Sequence, residues 1–257
     1  MADIVVLSHV ARRELWGQVP DLLEARHTVT FMDVPGFGDT PLPDGLPPTI
    51  ETMADGVRRE LASRDLSHAH LVGLSMAGTV ALEVARHDEV ASVTAISPPG
   101  FWTSAEAAVI VAEVGSMWSM VKVARPLVSL AGRPAWLRSL VWRRLVAHPE
   151  RVPVPVAEAT IMGIPRNMRH LTRPSILPAL ARSLSAYRST PLEGQVPVTI
   201  AWGDRDTFTS YRTQAPRARD VLPRARHVTL HGCGHIPNFD DPEQVARVIL
   251  ANVDGHG

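Results

Sequence analysis

One cysteine, Cys233, is all the chain holds, which excludes an internal disulfide and a metal site built from several thiolates. Net charge is also missing: 26 Lys and Arg balance 26 Asp and Glu over 257 residues. Neither a basic field that would gather nucleic acid nor the charge imbalance of a disordered chain is present. Lysine is nearly absent, Lys122 being the only one, a compositional bias with no chemistry attached. No run approaches the roughly 18 apolar residues of a membrane span. The first residues, Met1-Ala2-Asp3-Ile4-Val5-Val6-Leu7, carry an acid where a secretory leader needs bases, so they read as a strand. The expectation is a cytoplasmic protein with no membrane and no nucleic-acid partner.

Apolar residues make up 45% of the chain. That content and length suit one large α/β domain, or a core with an inserted subdomain, able to bury a substantial core. Ile4–Leu7, His27–Met32, His70–Gly73 and Val90–Ile96 read as apolar strands, separated by helical patterns. One helix carries Leu15, Trp16, Val19, Leu22 and Leu23; another carries Met53, Val57 and Leu61 behind a Thr49 cap. Alternation of strand and helix implies parallel strands joined by crossovers. Val196–Trp202 and Arg226–Leu230 resume the pattern, and Asp241 with Pro242 starts a final helix. The count is about six strands.

From Phe101 to about Thr190 the rhythm is helical alone: Ala105–Met120, Val121–Leu130, Pro134–Val146, Pro155–Ile164 and Ser175–Tyr187, with Pro126 and Pro165 among the breaks. Residues 1–100 and 191–257 thus form the core domain and residues 101–190 an all-helical insert. Trp102, Trp118, Trp136 and Trp142 are expected mostly in the insert's own core, a minority lining a pocket.

The most informative stretch is His70-Leu71-Val72-Gly73-Leu74-Ser75-Met76-Ala77-Gly78. A strand ends, one serine stands at the corner, and a helix begins with Thr79 and Val80. Two readings fit: a strained turn exposing a nucleophile, or an ordinary turn whose serine caps the helix. Two further polar residues stand at strand ends, Asp206 in Trp202-Gly203-Asp204-Arg205-Asp206 and His235 in Gly232-Cys233-Gly234-His235-Ile236-Pro237. In a parallel sheet those carboxyl ends share one edge, where such folds bind ligands. A serine hydroxyl is a poor nucleophile until a base takes its proton, and a histidine can take and return it.

Together with Asp33-Val34-Pro35-Gly36-Phe37-Gly38, these motifs resemble the α/β-hydrolase superfamily, in which serine, acid and histidine follow in that order. The resemblance covers all but the insert, which sits where the family carries a variable cap. It implies a mostly parallel sheet flanked by helices, a nucleophile elbow with Ala77 in the place of the second glycine of G-x-S-x-G, and a catalytic triad of Ser75, Asp206 and His235. Asp204 is the rival acid, though better suited to the turn. The oxyanion hole would use the backbone N–H of Met76 and, after His9-Val10, that of Ala11, with Val10 as fallback. Relatives that open epoxides or remove halogens use an aspartate nucleophile, against which Ser75 argues.

Cys233 and His231 read as structural and Asp33 as a turn anchor, so no metal and no cofactor are expected. The expected activity is a serine esterase: cleavage of a carboxylic ester of a small to medium apolar substrate through an acyl-enzyme. C–C bond hydrolase, thioesterase and lactonase chemistry fit the same residues, as does a low-turnover binding protein of this fold. A homodimer through the cap's apolar face is compatible with each.

Overall fold

The computed structural model describes residues 1–10, 13–87, 90–131, 134–173, 175–194 and 196–255. Six apolar runs form strands: β1 (Asp3–Ser8), β2 (Thr28–Asp33), β3 (His70–Leu74), β4 (Ser92–Ile96), β5 (Val198–Gly203) and β6 (Arg226–Leu230). They pair in the order β2-β1-β3-β4-β5-β6, every pair parallel. Parallel neighbours require crossovers that lie on the sheet faces, which is why the inner strands β1, β3, β4 and β5 are buried on both sides while the edge strands β2 and β6 are half-buried. From β1 the chain steps outward to β2, then returns to lay β3 on the other side of β1. That reversal opens a crevice at the carboxyl ends of β1 and β3.

The crossovers are α1 (Val19–Glu24), α2 (Ile50–Ser63) and α3 (Met76–Val84); α4 (Ser104–Ala131), α5 (Ala135–Trp142), α6 (Val154–Asn167) and α7 (Leu177–Ala186) fill the segment between β4 and β5; α8 (Tyr211–Val221) and α9 (Pro242–Asp254) complete the core. Side chains alternate across the sheet. Val5 and Leu7 of β1 join Met53, Val57, Val80 and Ala218, and so face α2, α3 and α8. Ile4 and Val6 join Val19, Leu23, Val245 and Ile249 of α1 and α9. Each such side chain stabilises by about 1.5–3 kcal/mol when fully buried. The expected caps are present: Thr49 Oγ1 accepts from the Thr52 N–H at 3.1 Å, and Asp241 Oδ1 from that of Gln244 at 2.8 Å.

The structure differs from the sequence reading in four places. Gly17, at φ +55, stops a short 3-10 turn over Arg13–Trp16 before α1, splitting a helix expected to run through both. Pro126 does not end a helix: two expected segments are one 28-residue α4. Pro165 likewise lies inside α6. A proline deletes one backbone bond but leaves helical φ accessible, so a long helix can carry it. Finally, Trp136 is 71% exposed, while Trp102 and Trp142 are buried.

Among the described residues, no strand interrupts the four-helix segment, and no helix is long and apolar enough to cross a membrane. Several contacts tie the segment to the core. The Gly38 N–H donates to Asn167 O at 2.8 Å, Arg169 pairs with Asp39 at 3.0 Å, and Arg217 of α8 with Glu106 of α4 at 2.6 Å.

Candidate active site

β3 ends at Leu74 and α3 starts at Met76, leaving Ser75 alone at the corner with φ 55 and ψ −128. A non-glycine residue in that region is strained, and here the strain is held by the Ser75 N–H donating to Ile96 O of β4 at 2.8 Å. The turn closes so tightly that a Cβ on Gly73 would stand 2.4 Å from the carbonyl of Ala77. Only glycine fits at 73. The methyl of Ala77, by contrast, is wholly buried and accommodated. The serine hydroxyl makes no capping bond to α3; its Oγ lies 2.9 Å from Nε2 of His235.

Asp206 and His235 come from loops packed against each other. A Cβ on Gly203 would meet the carbonyl oxygens of Cys233 and Gly234 at 2.3 Å, so the end of β5 and the loop after β6 touch backbone to backbone. His235 Nδ1 then lies 2.9 Å from Asp206 Oδ2. The carboxylate can only accept, so Nδ1 carries the proton and Nε2 is left to accept from Ser75. Asp206 is fully buried, yet every lone-pair direction is used. Oδ1 accepts the N–H groups of Phe208 at 2.8 Å and Thr209 at 3.0 Å. Oδ2 accepts Trp202 Nε1–H at 3.1 Å and lies 2.7 Å from Thr209 Oγ1. A buried carboxylate needs such a shell, because without it the charge is lost to burial.

Several neighbours were not singled out in the sequence. Phe208 packs against the His235 ring with centroids 4.7 Å apart and the planes tilted by 55°. Arg144 lies 5.9 Å from that same ring's far partner, the Phe208 centroid, pairs with Glu113 of α4 at 2.9 and 3.1 Å, and donates to Thr207 O. Asp240, buried, accepts from the N–H groups of Ala147, His148 and Gly234 at 3.0, 2.7 and 2.8 Å. It thereby fixes the loop before His235 to the chain after α5. Phe208 and Thr209 stand two and three residues past the acid, whereas Arg144 reaches Thr207 across 63 positions and Asp240 reaches Ala147 and His148 across 93 and 92.

His9 follows β1 and packs edge-on against Phe37 at 5.8 Å. Burial, and then the nearby His235, hold its pKa down to about 4. His9 is therefore neutral at pH 7. Met76 is the first residue of α3, where N–H groups have no intrahelical acceptor. Ala11 lies outside the described residues. Val10, the fallback, is turned so that its carbonyl accepts from Asn167 Nδ2 of α6.

The rival acid goes elsewhere. Asp204 accepts from the Gly232 N–H at 2.9 Å and lies 3.2 Å from Nδ1 of the exposed His231, so it ties the β5 and β6 loops together. Cys233 is buried, and burial pushes its thiol up to about 12, far from a reactive thiolate. Asp33 accepts from the Asp39 N–H across its loop at 3.2 Å. A cleft lined by Leu192, Pro197, Leu222 and Ala225 opens at the other ends of β5 and β6, away from these groups.

A parallel sheet with serine, histidine and aspartate hydrogen-bonded in series at its carboxyl edge defines the class of α/β hydrolases. The chain belongs to the alpha/beta hydrolase family, whose model matches residues 5–248. It is 28% identical over 206 residues to an epoxide hydrolase of Mycobacterium tuberculosis, spanning 79% of this chain and 94% of that protein. It is 25% identical over 248 residues to the pimeloyl-(acyl-carrier protein) methyl ester esterase of Aeromonas hydrophila, spanning 91% and 88%. Among solved structures, the enol-lactonase from Burkholderia xenovorans matches with a TM-score of 0.73 at 19% identity, over 98% of this chain and 91% of that one. A likeness at that identity is one of fold.

Proposed function

We propose that the chain is a serine hydrolase that cleaves carboxylic esters of small to medium apolar substrates through an acyl-enzyme. The observation that carries this reading is the unbroken series Ser75 Oγ, His235 Nε2, His235 Nδ1 and Asp206 Oδ2, with both links at 2.9 Å. In this proposal Ser75 attacks the carbonyl carbon as its proton passes to Nε2. Asp206 holds the imidazole in the tautomer that accepts and stabilises the imidazolium that results. The N–H of Met76, at the positive end of α3, would receive the developing oxyanion. A second donor would come from the loop after β1, Ala11 first and Val10 second. Collapse of the tetrahedral intermediate expels the alcohol, which takes the proton from Nε2. Water then attacks the acyl carbon as its proton passes to the same nitrogen, and collapse releases the acid while Nε2 returns that proton to Ser75 Oγ.

Residues 101–190 would serve as the cap over this edge. Trp102, Ala107, Ile110 and Phe208 form a buried apolar cluster, joined by Val114 and Leu145, and Phe208 leads from it to His235. An apolar acyl or alcohol group matches that composition.

The likeness to an epoxide hydrolase raises a second reading, and the chemistry of Ser75 weighs against it. A serine that opens an epoxide forms an ether, which has no carbonyl for water to attack, so the cycle would stall after one event. A carboxylate nucleophile would form an ester and could turn over. Lactones and thioesters carry the required carbonyl and remain compatible with the site.

The test is a panel of p-nitrophenyl acetate, butyrate and octanoate, a lactone, a thioester and styrene oxide, assayed with the wild type and Ser75→Ala. Turnover of acyl substrates by the wild type, falling at least a thousandfold in Ser75→Ala, is expected. Turnover of styrene oxide with no acyl substrate cleaved would overturn the reading.

A further inference from the structure

Threonine 209 carries more hydrogen bonds than a turn requires. Its backbone already completes the loop: the N–H donates to Asp206 Oδ1 at 3.0 Å, and the carbonyl accepts Trp202 Nε1–H at 2.9 Å. The side-chain hydroxyl is a separate matter. Thr209 is fully buried, and its Oγ1 lies 2.7 Å from Asp206 Oδ2, 3.0 Å from His235 Nδ1 and 3.3 Å from Ser97 O.

A hydroxyl has one proton and two lone pairs, so these three contacts can be allocated. The shortest is to a charged acceptor, and a charge-assisted bond is the strongest on offer, so the proton goes to Asp206. The carbonyl of Ser97 is the weaker alternative acceptor, at the outer limit of bonding distance. His235 Nδ1 bears a proton, because Asp206 can only accept from it. That N–H therefore has two oxygens within 3.0 Å, Oδ2 of Asp206 and Oγ1 of Thr209. The hydroxyl closes a three-membered ring of hydrogen bonds, donating to the acid and accepting from the base.

We propose that Thr209 is a positioning residue for the base, holding the His235 imidazole in the plane that aims Nε2 at Ser75 and sharing the Nδ1 proton when the ring becomes charged. This rests on the reading of Ser75, His235 and Asp206 as the reacting series. A β-branched side chain suits the role, since its χ1 is stiff and the hydroxyl cannot swing away. Asp206, Thr209 and His235 are all buried, so an imidazolium formed there faces these two oxygens on its Nδ1 side. Valine at 209 keeps the shape, the branching and both backbone bonds, while removing only the hydroxyl.

The experiment compares wild type, Thr209→Val, Thr209→Ser and Ser75→Ala by steady-state kinetics on the best p-nitrophenyl ester, with thermal unfolding of each. Loss of one hydrogen bond to charged partners corresponds to about a 10- to 100-fold fall in kcat. Thr209→Val is expected to lose that much in kcat with KM within about twofold, and to react with a fluorophosphonate more slowly by the same factor. Thr209→Ser, which restores the hydroxyl, is expected to return to within a few-fold of wild type. A purely structural threonine would instead change Tm and KM, with serine and valine alike in their effect on kcat. Wild-type kcat in Thr209→Val, or equal impairment of Thr209→Ser and Thr209→Val, overturns the proposal and leaves the triad reading standing. If Ser75→Ala keeps the wild-type rate, both fall together. Should Thr209→Val not fold, Thr209→Ala is read in the same way.

Discussion

Replacing Asp206 by asparagine changes one oxygen to an NH₂ group in a place where every neighbour is a donor. Oδ1 faces the N–H groups of Phe208 and Thr209, and Oδ2 faces Trp202 Nε1–H, the Thr209 hydroxyl and His235 Nδ1. If the amide nitrogen takes the Oδ1 place, two main-chain N–H groups lose their acceptor in a buried site. If it takes the Oδ2 place, Trp202 loses its bond to the carboxylate but keeps the Thr209 carbonyl, and the hydroxyl can turn to Ser97 O. The second arrangement costs less, and it reverses the imidazole: Nδ1 now accepts from the amide, so the ring proton moves to Nε2. Nε2 can then no longer accept from Ser75. By analogy with the same change in other serine triads, kcat should fall about 10³- to 10⁴-fold, or about 4–5.5 kcal/mol of barrier. Substrate contacts are untouched, so KM should change little. Stability should fall by about 1–3 kcal/mol for the mismatched donors. The assay is kcat and KM on a p-nitrophenyl ester beside urea unfolding of the same variant. A folded Asp206→Asn within tenfold of wild-type kcat would refute the assignment of the acid.

Three further outcomes follow from the same geometry. Gly73→Ala places a methyl against the Ala77 carbonyl; overpacking against backbone should cost about 3 kcal/mol or more in urea unfolding, and a variant as stable as wild type would contradict the tight elbow. His9, held near 4 in the folded chain against its ordinary 6.5 when unfolded, favours the unfolded state increasingly as pH falls from 6.5 to 4 and has no effect above that window. Unfolding free energies of wild type and His9→Gln should therefore converge or cross over that interval by at most about 3–4 kcal/mol, and parallel curves would show that His9 titrates normally. The Cys233 thiol should be silent to Ellman's reagent in the native protein and react once per chain in urea; rapid native labelling would show that it is not buried.

How far the sequence reaches is clearest at particular residues. The inner strands β1, β3, β4 and β5 were legible because burial on both faces makes them apolar runs, and the half-buried edge strand β6 also falls on its expected residues, Arg226–Leu230. Ser75, Asp206 and His235 were legible as polar residues at strand ends, with glycines marking how closely the loops pack. The continuity of α4 through Pro126 was not, because the local cost of one lost bond is outweighed along a 28-residue helix. The shell around the site was hidden for another reason. Asp240 holds Ala147 and His148 from 93 and 92 positions away, and Arg144 reaches Thr207 across 63. Such pairs exist only once the helices between β4 and β5 have folded against the loops at the ends of β5 and β6. Thr209 lay in plain view beside Asp206, but its role depends on the direction of one hydroxyl.

The central claim is that Ser75 is the nucleophile of an acyl-transfer site, and covalent capture tests it most directly. Intact-mass measurement after incubation with a fluorophosphonate should show one adduct per chain, mapped by digestion to the peptide containing Ser75 and absent from Ser75→Ala. An unmodified wild-type protein that nevertheless turns over esters, or an adduct that persists in Ser75→Ala, would contradict it.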